Sequence, residues 1–125
     1  MVGLIYEQES YAIRGAVYDV YREMGSGFLE SVYQECLENE LASRNIPFAS
    51  QPEIQLYYKE NLLSQVYIPD FICYNKIILE LKVASELTNK HEAQIMHYLN
   101  ATKMQLGLLI NFGDYPKATI RRIVI

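Results

Sequence analysis

The 125-residue sequence has no tryptophan, only two cysteines and no excess of basic charge. Cys36 and Cys73 lie in apolar stretches with neither CxxC spacing nor a neighbouring histidine. That excludes a zinc knuckle or a disulfide scaffold and leaves two reduced core thiols. Fifteen acidic residues against eleven basic ones give a formal net charge of −4, which argues against a protein that coats nucleic acid by bulk positive charge. The same balance suits an enzyme that gathers carboxylates around a cation, because the ion supplies the missing charge. No run approaches the roughly 18 uninterrupted apolar residues of a membrane span, and Met1 to Glu9 lack the basic and apolar regions of a signal peptide. A membrane partner is not expected, and a cytoplasmic location is. There is no repeat, low-complexity tract or linker, and half the residues are apolar. Residues 1–125 are therefore expected to form a single domain around one core.

What is present is clear periodicity. Tyr11, Ile13, Val17, Val20, Tyr21 and Met24 recur at helical spacing over Glu7 to Met24, and Gly25-Ser26-Gly27 stops the pattern. A second helical stretch runs from Leu29 to Arg44 and ends at Asn45-Ile46-Pro47. Together they predict an N-terminal helical hairpin. Beyond Pro47 the residues turn β-branched and aromatic. Ile54 to Tyr58, Leu62 to Ile68 and Phe71 to Leu81 predict three strands in a meander, with turns at Lys59-Glu60-Asn61 and Tyr74-Asn75-Lys76. Helical spacing returns from Lys90 to Lys103, with Asn89 and Glu92 as the expected capping pair. Leu106 to Phe112 and Ala118 to Ile125 predict two closing strands. The order α, α, β, β, β, α, β, β describes an α/β domain with a mixed sheet.

Chemistry concentrates in Pro69-Asp70 and Glu80-Leu81-Lys82. Side chains alternate along a strand, so Glu80 and Lys82 emerge on one face while Leu81 enters the apolar layer behind. If the strands carrying Asp70 and Glu80 are hairpin neighbours, the two carboxylates converge on one cation. Magnesium is held by one or two carboxylates with water and substrate oxygens, and it polarises a phosphodiester. Lys82 would then orient or deprotonate water and steady developing negative charge. By itself an acidic-x-Lys triplet is expected about once by chance in a chain of this composition, and taken alone it is better explained by an exposed strand with a surface ion pair. Gln94 and Tyr98, four apart, share a face of the later helix and could reach a phosphate, or could simply pack. Glu30, at the start of the second helix, suits both a helix-dipole partner and a metal ligand. His91 shares the face of Gln94 and Tyr98, whereas His97 does not. Tyr58 and Tyr115 could stack on bases, though core or interface packing is the commoner use of such tyrosines, and Lys117, Arg121 and Arg122 suit phosphate contact or edge protection.

Gly27-Phe28-Leu29-Glu30-Ser31-Val32-Tyr33 resembles the signature of the GxxExxY proteins of the PD-(D/E)XK nuclease superfamily. The resemblance continues through Tyr67-Ile68-Pro69-Asp70-Phe71, Glu80-Leu81-Lys82, Leu87-Thr88, His91-Glu92-Ala93-Gln94, Tyr98-Leu99, Ala101-Thr102 and Leu108 to Gly113, covering roughly residues 10 to 124. It implies a restriction-endonuclease-like αβββαβ core, with a mixed β-sheet flanked by helices. It implies Glu30, Asp70 and Glu80 as ligands of Mg2+ or Mn2+, Lys82 as the catalytic lysine, and Gln94 with Tyr98 as the QxxxY element of RecB-like members. Two departures stand out. Ile68 replaces an arginine common in relatives, and Asn89-Lys90 replaces a proline-containing turn.

The expected function is metal-dependent hydrolysis of phosphodiester bonds in nucleic acid, with DNA as the substrate. The competing class is a non-catalytic module that binds nucleic acid or protein on the same fold, and metal binding that depends on Asp70 separates the two. A homodimer is a further expectation, because one small core seldom grips a duplex symmetrically.

Overall fold

The computed structural model describes residues 4–125. Helix α1 (Glu7–Met24) ends where the Gly25 amide donates to the Tyr21 carbonyl at 2.7 Å, and α2 (Glu30–Ser43) follows. Arg44, just past α2, ties the two helices together by pairing with Asp19 of α1 and, at 2.7 Å, with Glu40 of α2. The helical hairpin read from the sequence is thus present.

Strands β1 (Phe48–Ser50), β2 (Ile54–Tyr58), β3 (Asn61–Tyr67), β4 (Phe71–Cys73) and β5 (Ile77–Lys82) precede α3 (Asn89–Thr102), and β6 (Leu106–Asn111) and β7 (Thr119–Val124) follow it. The main sheet has the order β1-β4-β5-β6-β7. Among the described strands only β5 and β6 run parallel, joined by the α3 crossover that parallel pairing requires. The expected meander is corrected in two respects. Strands β2 and β3 form a separate two-stranded sheet, and the edge partner of β4 is β1, a strand absent from the sequence reading. A three-residue strand is too short to show alternation, and a hairpin pattern does not reveal which sheet it joins.

Alternation explains the layers. Ile77, Leu79 and Leu81 of β5 join Leu106, Leu108 and Ile110 of β6 against α1 and α2, a core that includes Ile13, Val17, Tyr33 and Leu37. On the other face Ile78 and Ile72 pack against Ile95 and Leu99 of α3 and against Tyr67 of the β2–β3 hairpin. Burying each such side chain stabilises the fold by about 1.5–3 kcal/mol. Close approach of α3 depends on Gly107, where an added Cβ would lie 2.7 Å from the Ile95 side chain. Cys73 is buried and Cys36 half-buried, both free. Among the described residues, no helix is long and apolar enough to cross a membrane.

The start of α3 corrects the expected cap. Thr88, not Asn89, is the N-cap: its hydroxyl accepts from the His91 amide, and the Thr88 amide donates to His91 Nδ1 at 3.1 Å. Both Thr88 and Asn89 can cap, and the extended backbone at Thr88 decides between them. Glu92 instead pairs with Arg121 of β7.

Candidate active site

The β4–β5 hairpin builds the centre of the site. Phe71 pairs with Leu79 in antiparallel register, so Asp70, one residue before β4, lies beside Glu80. Asp70 is held from both ends. Its Oδ2 accepts the Leu81 amide at 2.7 Å. Its carbonyl accepts from the Gln34 side chain of α2 and from the Gln51 amide, each at 3.0 Å. Leu81 is buried among the residues facing the helical hairpin, which leaves Glu80 and Lys82 on the α3 side, half-buried, as alternation requires.

Glu80 has a fixed partner that sequence reasoning missed. The Tyr67 hydroxyl donates to Glu80 Oε1 at 2.5 Å, and the Tyr67 ring stacks on Tyr98 with centroids 3.8 Å apart. Tyr98 therefore steadies Tyr67, which steadies Glu80. Only the position of Tyr67 at the end of a strand three residues before Asp70 hinted at this. Glu80, Lys82, Gln94 and Tyr98 line one cleft of about 340 Å³, with Leu56, Val66, Tyr67 and Ile68 as its remaining wall. Glu30 and Asp70 line a second, acidic opening with Gln34, Glu35 and Glu38.

Glu30 owes its place to Tyr33. The fully buried Tyr33 ring stacks on Phe112 at 4.4 Å. Its hydroxyl donates to the Gly25 carbonyl at 2.5 Å and accepts the Phe28 amide at 3.4 Å. This pins the turn through Gly27, whose φ of 111° suits glycine, and sets Glu30 in the first turn of α2. The spacing of Gly27, Glu30 and Tyr33 is thus a backbone anchor as much as a ligand pattern.

The electrostatics reflect crowding of like charge. Burial, aided by Asp70, pushes the Glu80 carboxyl up to about 7 against the pull of Tyr67 and Lys82. Burial raises Asp70, opposed by the Leu81 amide and Lys82. Glu30 is raised by burial and then by Asp70. Among the described residues these three carboxylates belong to no ion pair, and no three acidic, histidine or cysteine side chains close on one point. An all-oxygen donor set with one or two carboxylates converging, each with an oxygen left for coordination, fits magnesium or manganese completed by water.

Behind the site, the fully buried Asn111 pairs with Lys82 across the parallel strands. Its side chain donates to the Ala84 carbonyl at 3.0 Å and accepts the Ala84 amide at 2.9 Å and the Gly113 amide at 3.0 Å. This clamps the chain just after Lys82. Gly113 belongs to the same clamp, since a Cβ there would lie 2.3 Å from the Ala84 carbonyl oxygen. The remaining polar candidates take other duties. His91 caps α3, Arg121 pairs with Glu92, and Arg122 binds the Ser10 hydroxyl and the Ile5 carbonyl. Both arginines are engaged within the chain.

No curated protein matches the sequence. The backbone is similar to the crystal structure of SSO0001, with a TM-score of 0.59 over 95% of this chain and 19% sequence identity. This chain spans 60% of the length of that one, and the likeness concerns the fold alone. Residues 7–123 match the family model of the PD-(D/E)XK nuclease superfamily, nearly the whole of the described chain. With this family match and an Asp70, Glu80, Lys82 edge at the β4–β5 hairpin of a mixed sheet flanked by helices, the chain belongs to the PD-(D/E)XK nuclease superfamily.

Proposed function

We propose that this chain, as a single domain of the GxxExxY type, hydrolyses phosphodiester bonds in DNA with Mg2+ or Mn2+. The observation that carries the reading is the side-by-side placement of Asp70 and Glu80, two half-buried carboxylates with raised proton affinity and no cationic partner in an ion pair. Asp70 and Glu80 would hold the ion, with Glu30 contributing from α2. When bound, the ion polarises the phosphodiester and acidifies coordinated water. Lys82 supplies a positive charge on the same strand face as Glu80, where it steadies the charge that develops on the phosphoryl oxygens and orients the attacking water. Gln94 offers an amide donor from α3 to a non-bridging oxygen. Tyr67 and Tyr98 hold the Glu80 carboxylate in one orientation, so its geometry is set before substrate arrives.

Calorimetric titration with Mn2+ tests the ligand assignment. Wild type should bind the ion, and Asp70→Asn should weaken binding by at least about 10-fold, with DNA cleavage lost in parallel. A folded Asp70→Asn protein that binds and cleaves as wild type does would remove Asp70 from the site. Metal binding without cleavage of any nucleic acid would leave the fold as a binding module.

A further inference from the structure

The cleft that holds Glu80, Lys82 and Gln94 is mainly polar but not wholly so. Leu56, Val66 and Ile68 also line it, and of these Val66 is 38% and Ile68 50% exposed. Phosphates gain nothing from aliphatic side chains, whereas the face of an unpaired base or a sugar does. A paired base keeps its faces inside the stack, where such a wall cannot touch them. The same hairpin carries Tyr57 and Tyr58, each 62% exposed, with the Lys59 ammonium 5.4 Å from the centre of the Tyr58 ring. An aromatic face and a cation thus stand together on the element that forms the apolar wall.

The distribution of positive charge points the same way. Affinity for duplex comes largely from neutralising many phosphates. Here Arg22, Arg44, Lys76 and Arg121 are paired with acidic side chains, Arg122 is bound to Ser10 and Ile5, and Arg14, Lys59, Lys90, Lys103 and Lys117 lie outside the lining of the cleft. Lys82 is the cation that lines the cleft, and Glu30, Glu35 and Glu38 line the neighbouring opening. Such a surface favours a ligand held by its bases over one held by a row of phosphates.

We propose that the catalytic cleft takes single-stranded polynucleotide, laying an unpaired base against Leu56, Val66 and Ile68 while the adjoining phosphate faces Glu80, Lys82 and Gln94. This rests on the nuclease reading and names its substrate class. The base supplies the apolar contact and the phosphate is presented to the carboxylate edge, so strand separation precedes cleavage.

The test is binding of the full chain in EDTA, by fluorescence anisotropy, to labelled oligothymidylate, to oligouridylate and to a duplex of equal length. Without metal, binding is read apart from turnover. The expected result is single-strand binding at least about 10-fold tighter than duplex, with a salt dependence equivalent to few phosphates. Comparison of the thymidylate and uridylate arms assigns DNA or RNA. Ile68→Ser, and separately the near-isosteric Val66→Thr, should weaken single-strand binding several-fold with duplex binding and melting temperature unchanged. Equal or tighter duplex binding, or single-strand affinity indifferent to both substitutions, would overturn the inference. So would an outcome in which the substitutions split a homodimer and leave oligonucleotide binding unaltered, since the wall would then be a self-association surface. Cleavage of duplex by a protein that fails the single-strand test would defeat this inference and preserve the nuclease reading. Single-strand binding by a protein that cleaves nothing with Mg2+ or Mn2+ would do the reverse.

Discussion

The Tyr67 hydroxyl donates to Glu80 Oε1 at 2.5 Å, across the gap between the β2–β3 hairpin and the main sheet. This bond lowers the proton affinity of a carboxyl that burial raises. It therefore favours the charged form in which Glu80 can coordinate a cation. Tyr67→Phe keeps the ring stacked on Tyr98 and removes only the donor. Glu80 should then hold its proton to higher pH, and the acid limb of the pH–rate profile should move towards alkaline pH. Cleavage should fall more near pH 6 than near pH 9, a difference of about 3- to 10-fold for a hydrogen bond of ordinary net worth. A uniform loss across the profile would show that the hydroxyl does not act through Glu80 ionisation.

The same raised carboxyl predicts an unusual pH dependence of stability in the metal-free protein. In the folded state Glu80 titrates at about 7, and in the unfolded chain near its ordinary 4.5. Between those values the folded protein carries the proton and the unfolded chain does not, so stability falls as pH rises through this window. The loss levels off above about pH 7, at an upper bound on the order of 3 kcal/mol. Asp70 and Glu30 are raised too and act in the same sense. Urea unfolding in EDTA from about pH 5 to pH 8 should show this decline, and Glu80→Gln should flatten it. Added Mn2+ should reverse the trend by binding the charged form. Greater stability at pH 8 than at pH 5, with the mutant unchanged from wild type, would contradict the assignment.

Asn111 predicts a structural effect with a functional echo. Asn111→Ala leaves the Ala84 amide and carbonyl without their partner in a half-buried setting, at a cost of about 1–3 kcal/mol. Because Ala84 follows Lys82 by two residues, cleavage measured well below the melting temperature should also drop. A loss of stability under about 0.5 kcal/mol in urea unfolding would show that the clamp is not needed.

Tyr33 allows the helix-start motif to be separated into its parts. Tyr33→Phe loses the bond to the Gly25 carbonyl while retaining the stack on Phe112, and should cost about 1–2 kcal/mol in thermal or urea unfolding. Glu30→Gln touches no such anchor. It should leave stability in EDTA equal to wild type or higher, since a charge crowded by Asp70 is removed, while weakening Mn2+ affinity. Destabilisation by Glu30→Gln comparable to that of Tyr33→Phe would make Glu30 a structural residue.

Much of this arrangement was legible in the sequence where one periodicity dominated. The helical hairpin followed from the spacing of Ile13, Val17, Val20 and Tyr21 and the stop at Gly25-Ser26-Gly27, and the shared face of Glu80 and Lys82 from strand alternation around Leu81. What remained hidden depends on contacts between residues distant in sequence. Nothing local says that Tyr67 reaches Glu80, that Asn111 clamps Ala84, or that Arg121 turns inward to Glu92. The detachment of β2 and β3 is of the same kind, because their pattern suits either sheet. Thr88 and Asn89 compete as caps on equal chemical terms, and the entry path of the chain decides.

The most direct measurement of the central claim is single-turnover cleavage of labelled single-stranded DNA with Mn2+, comparing wild type with Glu80→Gln and Lys82→Ala, each confirmed as folded by its melting curve. The account predicts cutting by wild type that EDTA abolishes, and a fall of at least about 100-fold in both variants, with Lys82→Ala still binding Mn2+. Cleavage by both folded variants at the wild-type rate would contradict it.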